Sequence, residues 1–243
     1  MNTSSNRVLA FVASDKGGPG KSLTAAMIFE AVHSTGTPWR LVEIEQKATY
    51  TQASYHWPTR PLFINLTESK EGLDVPSLAP FKKLHGLIPA NDDDPSRILI
   101  DFGANIYSNF AIWAAGEGGL DPFLKAGYRI VTFIPVQSKD YESADFFNVQ
   151  LGTLSSIGVV VPVWNQFTGS KFEQLNVGPD TPGITIPFVG EPATAELSNS
   201  SHRLTYKQLS KSTTASRRSR IDAAYVHQTF TESLAHVRQH HKF

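Results

Sequence analysis

Seven consecutive residues, Lys16-Gly17-Gly18-Pro19-Gly20-Lys21-Ser22, have the types and spacing needed to hold a string of phosphates. Backbone N–H groups converge on phosphate oxygens only where no side chain blocks the approach, and glycine leaves that space open. In such a loop Lys21 supplies a point charge for the β- and γ-phosphates, and the Ser22 hydroxyl a ligand for Mg²⁺. A helix starting here adds its positive end to the same anion. Acids collect at two other places. Asp101 closes the apolar run Arg97-Ile-Leu-Ile-Asp101 and is followed by Phe102-Gly103-Ala104. A carboxylate at a strand terminus matches the Walker B position, which holds Mg²⁺, usually through water. Its plainer role would be to cap the next helix. Glu43 and Glu45 close a second run, with two solvent-facing strand residues as the plain alternative.

The elements that must position these residues follow from periodicity. Residues 8–13 are an apolar run suited to a buried strand, and residues 24–33 resume as a helix of small and apolar residues. Strand, glycine-rich turn, Lys-Ser and helix together form the arrangement that surrounds nucleotide phosphates. Further strands are expected over 39–45, 61–66, 97–101, 128–135, 158–165 and 183–187. A polar, aromatic-rich loop or short helix is expected over 46–60, a turn at 92–96 and a helix over 139–157. This alternation predicts an α/β fold: three layers, a mostly parallel sheet of about seven strands, and the phosphate loop after strand one. Ligands of such sheets bind at the carboxyl ends of the strands, so chemistry should gather there. Residues 198–219, dense in Ser, Thr, Lys and Arg, read as linker or surface loop with short helices, ahead of a terminal helix over 221–237. The expectation is one domain over 1–243, with 199–243 as a basic helical region within it.

The chain has 243 residues, long enough for a sizeable core. It has no cysteine, which excludes disulfides, thiolate metal sites and iron–sulfur clusters. No run approaches the ~20 apolar residues of a membrane span, and the first seven residues lack a signal peptide's apolar core. The expected compartment is the cytoplasm. Formal net charge is zero, but it is unevenly spread. From residue 201 onward there are 8 Lys/Arg against 2 Asp/Glu, while residues 1–200 carry 14 against 20. A neutral chain with a basic end suggests a localised anionic partner. Arg217, Arg218 and Arg220, with Arg203, Lys207 and Lys211, form that cluster, and a solvated helix start is the plain alternative. Arginines at a helix N-terminus oppose its dipole, which favours a partner. The closing residues are too polar for an amphipathic membrane anchor, and His240 and His241 read as a frayed tail.

The loop departs from the ordinary phosphate-loop pattern, because Asp15 stands where the first glycine is required. With Lys16 at its head it instead resembles the deviant Walker A motif, KGGxGK[ST], of the ParA/MinD family of P-loop ATPases. The resemblance implies that Lys16 reaches across an ATP-dependent homodimer to the partner's nucleotide. It implies catalytic roles for Lys16, Lys21, Glu45 and Asp101, with Ser22 and Asp101 at Mg²⁺. Nucleotide contacts are implied for residues 16–22 and for Leu23, whose N–H remains although the hydroxyl usual there is lost. In the family the place of Glu43 and Glu45 carries aspartates, the second of which positions the attacking water. The extra methylene changes that reach, and slow hydrolysis is one expectation. Ile134-Pro-Val-Gln137 resembles the family's strand-to-helix turn ending in Pro. Asn165 sits where the family reads adenine, and Pro187 and Phe188 where it packs the base.

The resemblance spans roughly residues 7–190, and the Asp-Phe-Gly-Ala and Trp-Asn-Gln-Phe variants look more like plasmid-stability and conjugal-transfer proteins of the StbB and TraL type than chromosomal ParA or MinD. It implies a switch ATPase, with ATP and Mg²⁺, acting in plasmid DNA partition, positioning or conjugative transfer. Its partners would be non-specific DNA, through Arg217, Arg218 and Arg220, and an adaptor protein, with no membrane. Two alternatives remain: a non-hydrolysing ATP-bound dimer scaffold, and a P-loop small-molecule ligase or kinase.

Overall fold

A computed structural model describes residues 7–14, 20–33, 39–45, 61–70, 73–90, 96–103, 105–116, 118–172, 175–177, 181–189, 193, 196–197 and 204–243. The head of the glycine loop, with Lys16, Gly17, Gly18 and Pro19, lies outside these residues, as do residues 46–60 and Arg203. Seven strands form one sheet in the order β3-β2-β6-β1-β7-β8-β9. They are β1 (Val8–Val12), β2 (Trp39–Glu45), β3 (Leu62–Asn65), β6 (Arg97–Phe102), β7 (Arg129–Gln137), β8 (Val159–Asn165) and β9 (Ile184–Ile186). Every pairing between them is parallel. A separate antiparallel hairpin, β4 (Thr67–Lys70) with β5 (Leu73–Pro76), follows β3.

Strand alternation divides the core. Val8, Ala10 and Val12 of β1 face one side, where they join the helix α1 (Lys21–His33) and the long terminal helix α6 (Arg217–His241). Leu9 and Phe11 face the other. There they meet a 3-10 helix (Ala79–Leu87) and the helices α2 (Tyr107–Ala115) and α3 (Asp121–Lys125). Helix α4 (Tyr141–Leu154) covers Ile134 and Val136 of β7. The result is the three-layer sandwich expected, and α1 is buried on nearly all sides. Its uniform apolar character, without an amphipathic stripe, has that cause. A short helix α5 (Tyr206–Ser210) opens with a capping box at Thr205, whose hydroxyl also donates to Glu30 of α1 at 2.7 Å.

Several expectations change in detail. β7 continues through Pro135 to Gln137, so the proline lies inside the strand and not in a turn. It is tolerated because β1 stops pairing at Phe133, leaving no ladder bond there to lose. The terminal helix starts at Arg217, four residues earlier than periodicity gives, with the Ser216 hydroxyl accepting from the Ser219 N–H at 3.1 Å. Glu196 supplies the anion this positive end needs, its Oε1 accepting from the Ser219 hydroxyl at 2.8 Å. The histidine tail is not frayed. Helix α6 runs to His241, Arg129 Nη1 donates to the carbonyls of His241 and Lys242, and the Phe243 ring packs on Phe133 with centroids 6.0 Å apart.

Phe230, fully buried where α6 meets the sheet, is expected to cost about 3–5 kcal/mol on substitution by Ala. Tyr225→Ala on the exposed face of the same helix should stay within about 0.5 kcal/mol. Urea denaturation of the two variants measures the difference.

Candidate functional site

The parallel pairing brings the carboxyl ends of β1, β2 and β6 side by side. Val12 pairs with Asp101, and Asp101 pairs with Glu43. The acids separated by almost sixty residues in sequence therefore stand on neighbouring strands, at the edge where α1 begins. Gly20 leads into α1 at φ +97°, a left-handed backbone that favours glycine. Thr24 N–H then closes the first helical turn on the Gly20 carbonyl at 2.8 Å. Lys21 follows as the first helical residue and is buried, an unusual place for lysine unless anionic groups surround it.

They do. Asp101 is 6 % exposed, and its carboxyl is pushed up to about 7. Burial is the main cause, and Glu43 and Glu45 add to it, while a hydrogen bond from Ser22 and the charge of Lys21 oppose it. Glu45 is likewise pushed up, by burial and by Glu43, against the pull of Lys21. Lys21, Ser22, Glu43, Glu45 and Asp101 thus form one electrostatic unit. Asp101 Oδ1 is buried with no hydrogen-bond partner among the described residues. An orphaned buried carboxylate oxygen beside a serine hydroxyl is what an oxygen-binding divalent cation such as Mg²⁺ needs, so Ser22 and Asp101 fit that role.

Asn165 ends β8 and comes to the same place. Its Oδ1 accepts from the Phe167 N–H at 3.2 Å, which fixes the amide, and its Nδ2 lies 3.0 Å from where a Cβ on Gly20 would stand. Pro187, just beyond β9, is buried, and Phe188 beside it is 60 % exposed. Leu23 sits partly buried against the core. Arg217 and Arg218 are exposed in the first turn of α6, and Arg220 is half-buried. The sequence pairs Glu43 with Glu45 but gives a role to Glu45 alone, whereas in the structure Glu43 raises both other acids. Its pairing with Asp101 is a tertiary register and carries no local signal. The sequence gives Gly103 no role, although the Glu45 carboxyl fills the space a side chain there would need.

Comparison with known proteins rests on this architecture, because no protein-family model matches the sequence and no curated protein does. Superposed on the MinD cell division protein of Aquifex aeolicus, the chain gives a TM-score of 0.51 at 15 % identity. The match covers 94 % of this chain and 97 % of that one. The fold is MinD-like. MinD of Pyrococcus horikoshii OT3, solved with Mg-ADP, gives 0.51 at 14 % identity over 95 % and 96 % of the two chains. An McdA variant of Cyanothece, solved in complex with ATP, gives 0.50 at 12 % identity over 95 % and 97 %. Among the described residues of this MinD-like fold, no helix is long and apolar enough to cross a membrane.

The buried acid makes a prediction with a definite sign. Asp101 ionises near pH 7 when folded but near 3.8 when unfolded, so the folded nucleotide-free chain loses stability as pH rises through that window. Asp101→Asn removes the charge at constant shape. Its melting temperature without nucleotide should approach the wild type near pH 4 and exceed it by several degrees at pH 8. Thermal denaturation at the two pH values reads this.

Proposed function

We propose that the chain is an ATP-dependent dimerising switch ATPase of the ParA/MinD type, acting in partition, positioning or conjugative transfer of plasmid DNA. The observation carrying this reading is the convergence of a buried lysine, a serine and three acids where Gly20 turns into α1, at the carboxyl edge of a parallel sheet. The Lys16-to-Ser22 motif and the MinD-like fold support it, together with the ATP and Mg-ADP bound to the related structures.

In the reaction, water attacks the γ-phosphorus and the bond to the bridging oxygen of ADP breaks, giving ADP and phosphate. Lys21 meets the negative charge on the β- and γ-oxygens, and the glycine loop binds them through its N–H groups. Mg²⁺, when bound by Ser22 and Asp101, supplies further positive charge to those oxygens. Glu45 accepts a hydrogen bond from the attacking water and aims it. Lys16 of the partner protomer completes the site, so that the last phosphate ties the dimer together. Asn165, Pro187 and Phe188 hold the base. Arg217, Arg218 and Arg220 contact DNA phosphates without sequence preference, and an adaptor protein sets the timing of release. The whole chain serves as one P-loop ATPase domain, with residues 199–243 as its basic helical part.

Light scattering should give a monomer with ADP and a dimer with ATP or a slow analogue, and Lys16→Ala should stay monomeric throughout. Lys21→Ala should lower ATP turnover at least a hundredfold, read by phosphate release. A monomer under every nucleotide removes the switch reading, whereas an ATP-driven dimer without turnover selects the scaffold. With Arg217, Arg218 and Arg220 changed to Ala, plasmid-DNA affinity should fall and its salt dependence flatten, each lost phosphate contact reducing the log–log slope by about 0.9. Filter binding at two salt concentrations decides it.

A further inference from the structure

Gly103 stands just past the end of β6, its N–H donating to the Ile44 carbonyl at 2.9 Å and so extending the contact with β2. Its φ is not among the positive values in the chain, so the backbone there does not call for glycine. The demand comes from a side chain. A Cβ at 103 would lie 2.5 Å from Cδ and 2.8 Å from Oε1 of Glu45, and closer still to Oε2. The whole carboxyl group of Glu45 therefore rests on the bare Cα of Gly103, in the space a methyl would fill.

We propose that Gly103 is a positioning residue for Glu45: the missing side chain at 103 fixes where the Glu45 carboxyl stands relative to Lys21 and Asp101. This rests on the water-aiming role given to Glu45 above. The two residues lie on adjacent strand ends whose backbones are hydrogen-bonded, so neither can move away from the other cheaply. A methyl at 103 must displace the flexible partner, which is the carboxyl. An acid one methylene longer than aspartate needs housing, and the glycine provides it. A shift of about 1 Å at an aiming group is enough to cost a hundredfold in rate.

Turnover and thermal midpoints of the wild type, Gly103→Ala, Glu45→Asp and the double variant test the assignment. Gly103→Ala is expected to lower kcat for ATP about 10- to 100-fold with KM within about threefold. Glu45→Asp sets the baseline against which the double variant is read. In the Glu45→Asp background, where the shorter acid has withdrawn, Gly103→Ala should cost threefold or less, and the midpoints should show the same relief. An equal loss from Gly103→Ala in both backgrounds, in rate and in midpoint, overturns the proposal. If Gly103→Ala does not fold, recovery of folding in the double variant supports the contact and a double variant that is also unfolded overturns it. A wild type without ATP turnover sinks the proposed reaction, and with it the aiming role. The midpoint cycle then still decides whether the Gly103–Glu45 contact exists.

Discussion

Three carboxylates on two adjacent strand ends, beside one buried lysine, are the constraint around which the fold is arranged. Glu43 and Asp101 are register partners, so strand spacing fixes the distance between their Cα atoms. Burial raises the cost of each charge, and the acids raise each other, which is why Asp101 resists ionisation until about pH 7. Such a cluster does little for the stability of the empty chain. Lys21 and the Ser22 hydroxyl offset part of that repulsion but leave the Asp101 carboxyl well above its ordinary range.

Everything else holds those strand ends still. The central strands β1, β6 and β7 are apolar on both faces, as a sheet covered on both sides requires. Phe102, the residue that follows Asp101, is locked into an aromatic cluster with Phe11, Phe81, Phe110 and Trp113, so the chain there has little freedom. On the opposite face α1 is clamped between sheet and α6, which fixes the depth of Lys21. At the far edge the Arg97 guanidinium lies over Trp39, 5.9 Å from the ring centroid, joining the starts of β6 and β2 as the acids occupy their ends.

Much of this was legible in the chain itself. All seven sheet strands lie where apolar runs put them, and Asp101 and Glu45 stand at strand ends as their positions imply. What escaped was of two kinds. The strands of the β4–β5 hairpin are only four residues each, and α2 lacks a clear amphipathic period, so no strong local pattern marks them. The pairing of Glu43 with Asp101, the seat of Glu45 on Gly103, the approach of Asn165 to Gly20 and the anchoring of the last residues by Arg129 arise only when distant segments meet. No periodicity encodes them. The first lysine of the glycine loop is legible as a motif but lies outside the described residues.

The order of residues at the end of β8 gives the protein a built-in optical reporter. Trp164 immediately precedes Asn165 and packs between Phe147 and Phe172, with ring centroids 6.4 and 5.2 Å away. Its indole is part of the same strand end that touches the turn into α1, while Trp39 sits at the opposite end of the sheet. Trp164 is one of four tryptophans, so a chain in which Trp39, Trp57 and Trp113 are replaced by Phe would carry a single fluorophore next to the carboxyl edge, with no dye attached and no cysteine introduced.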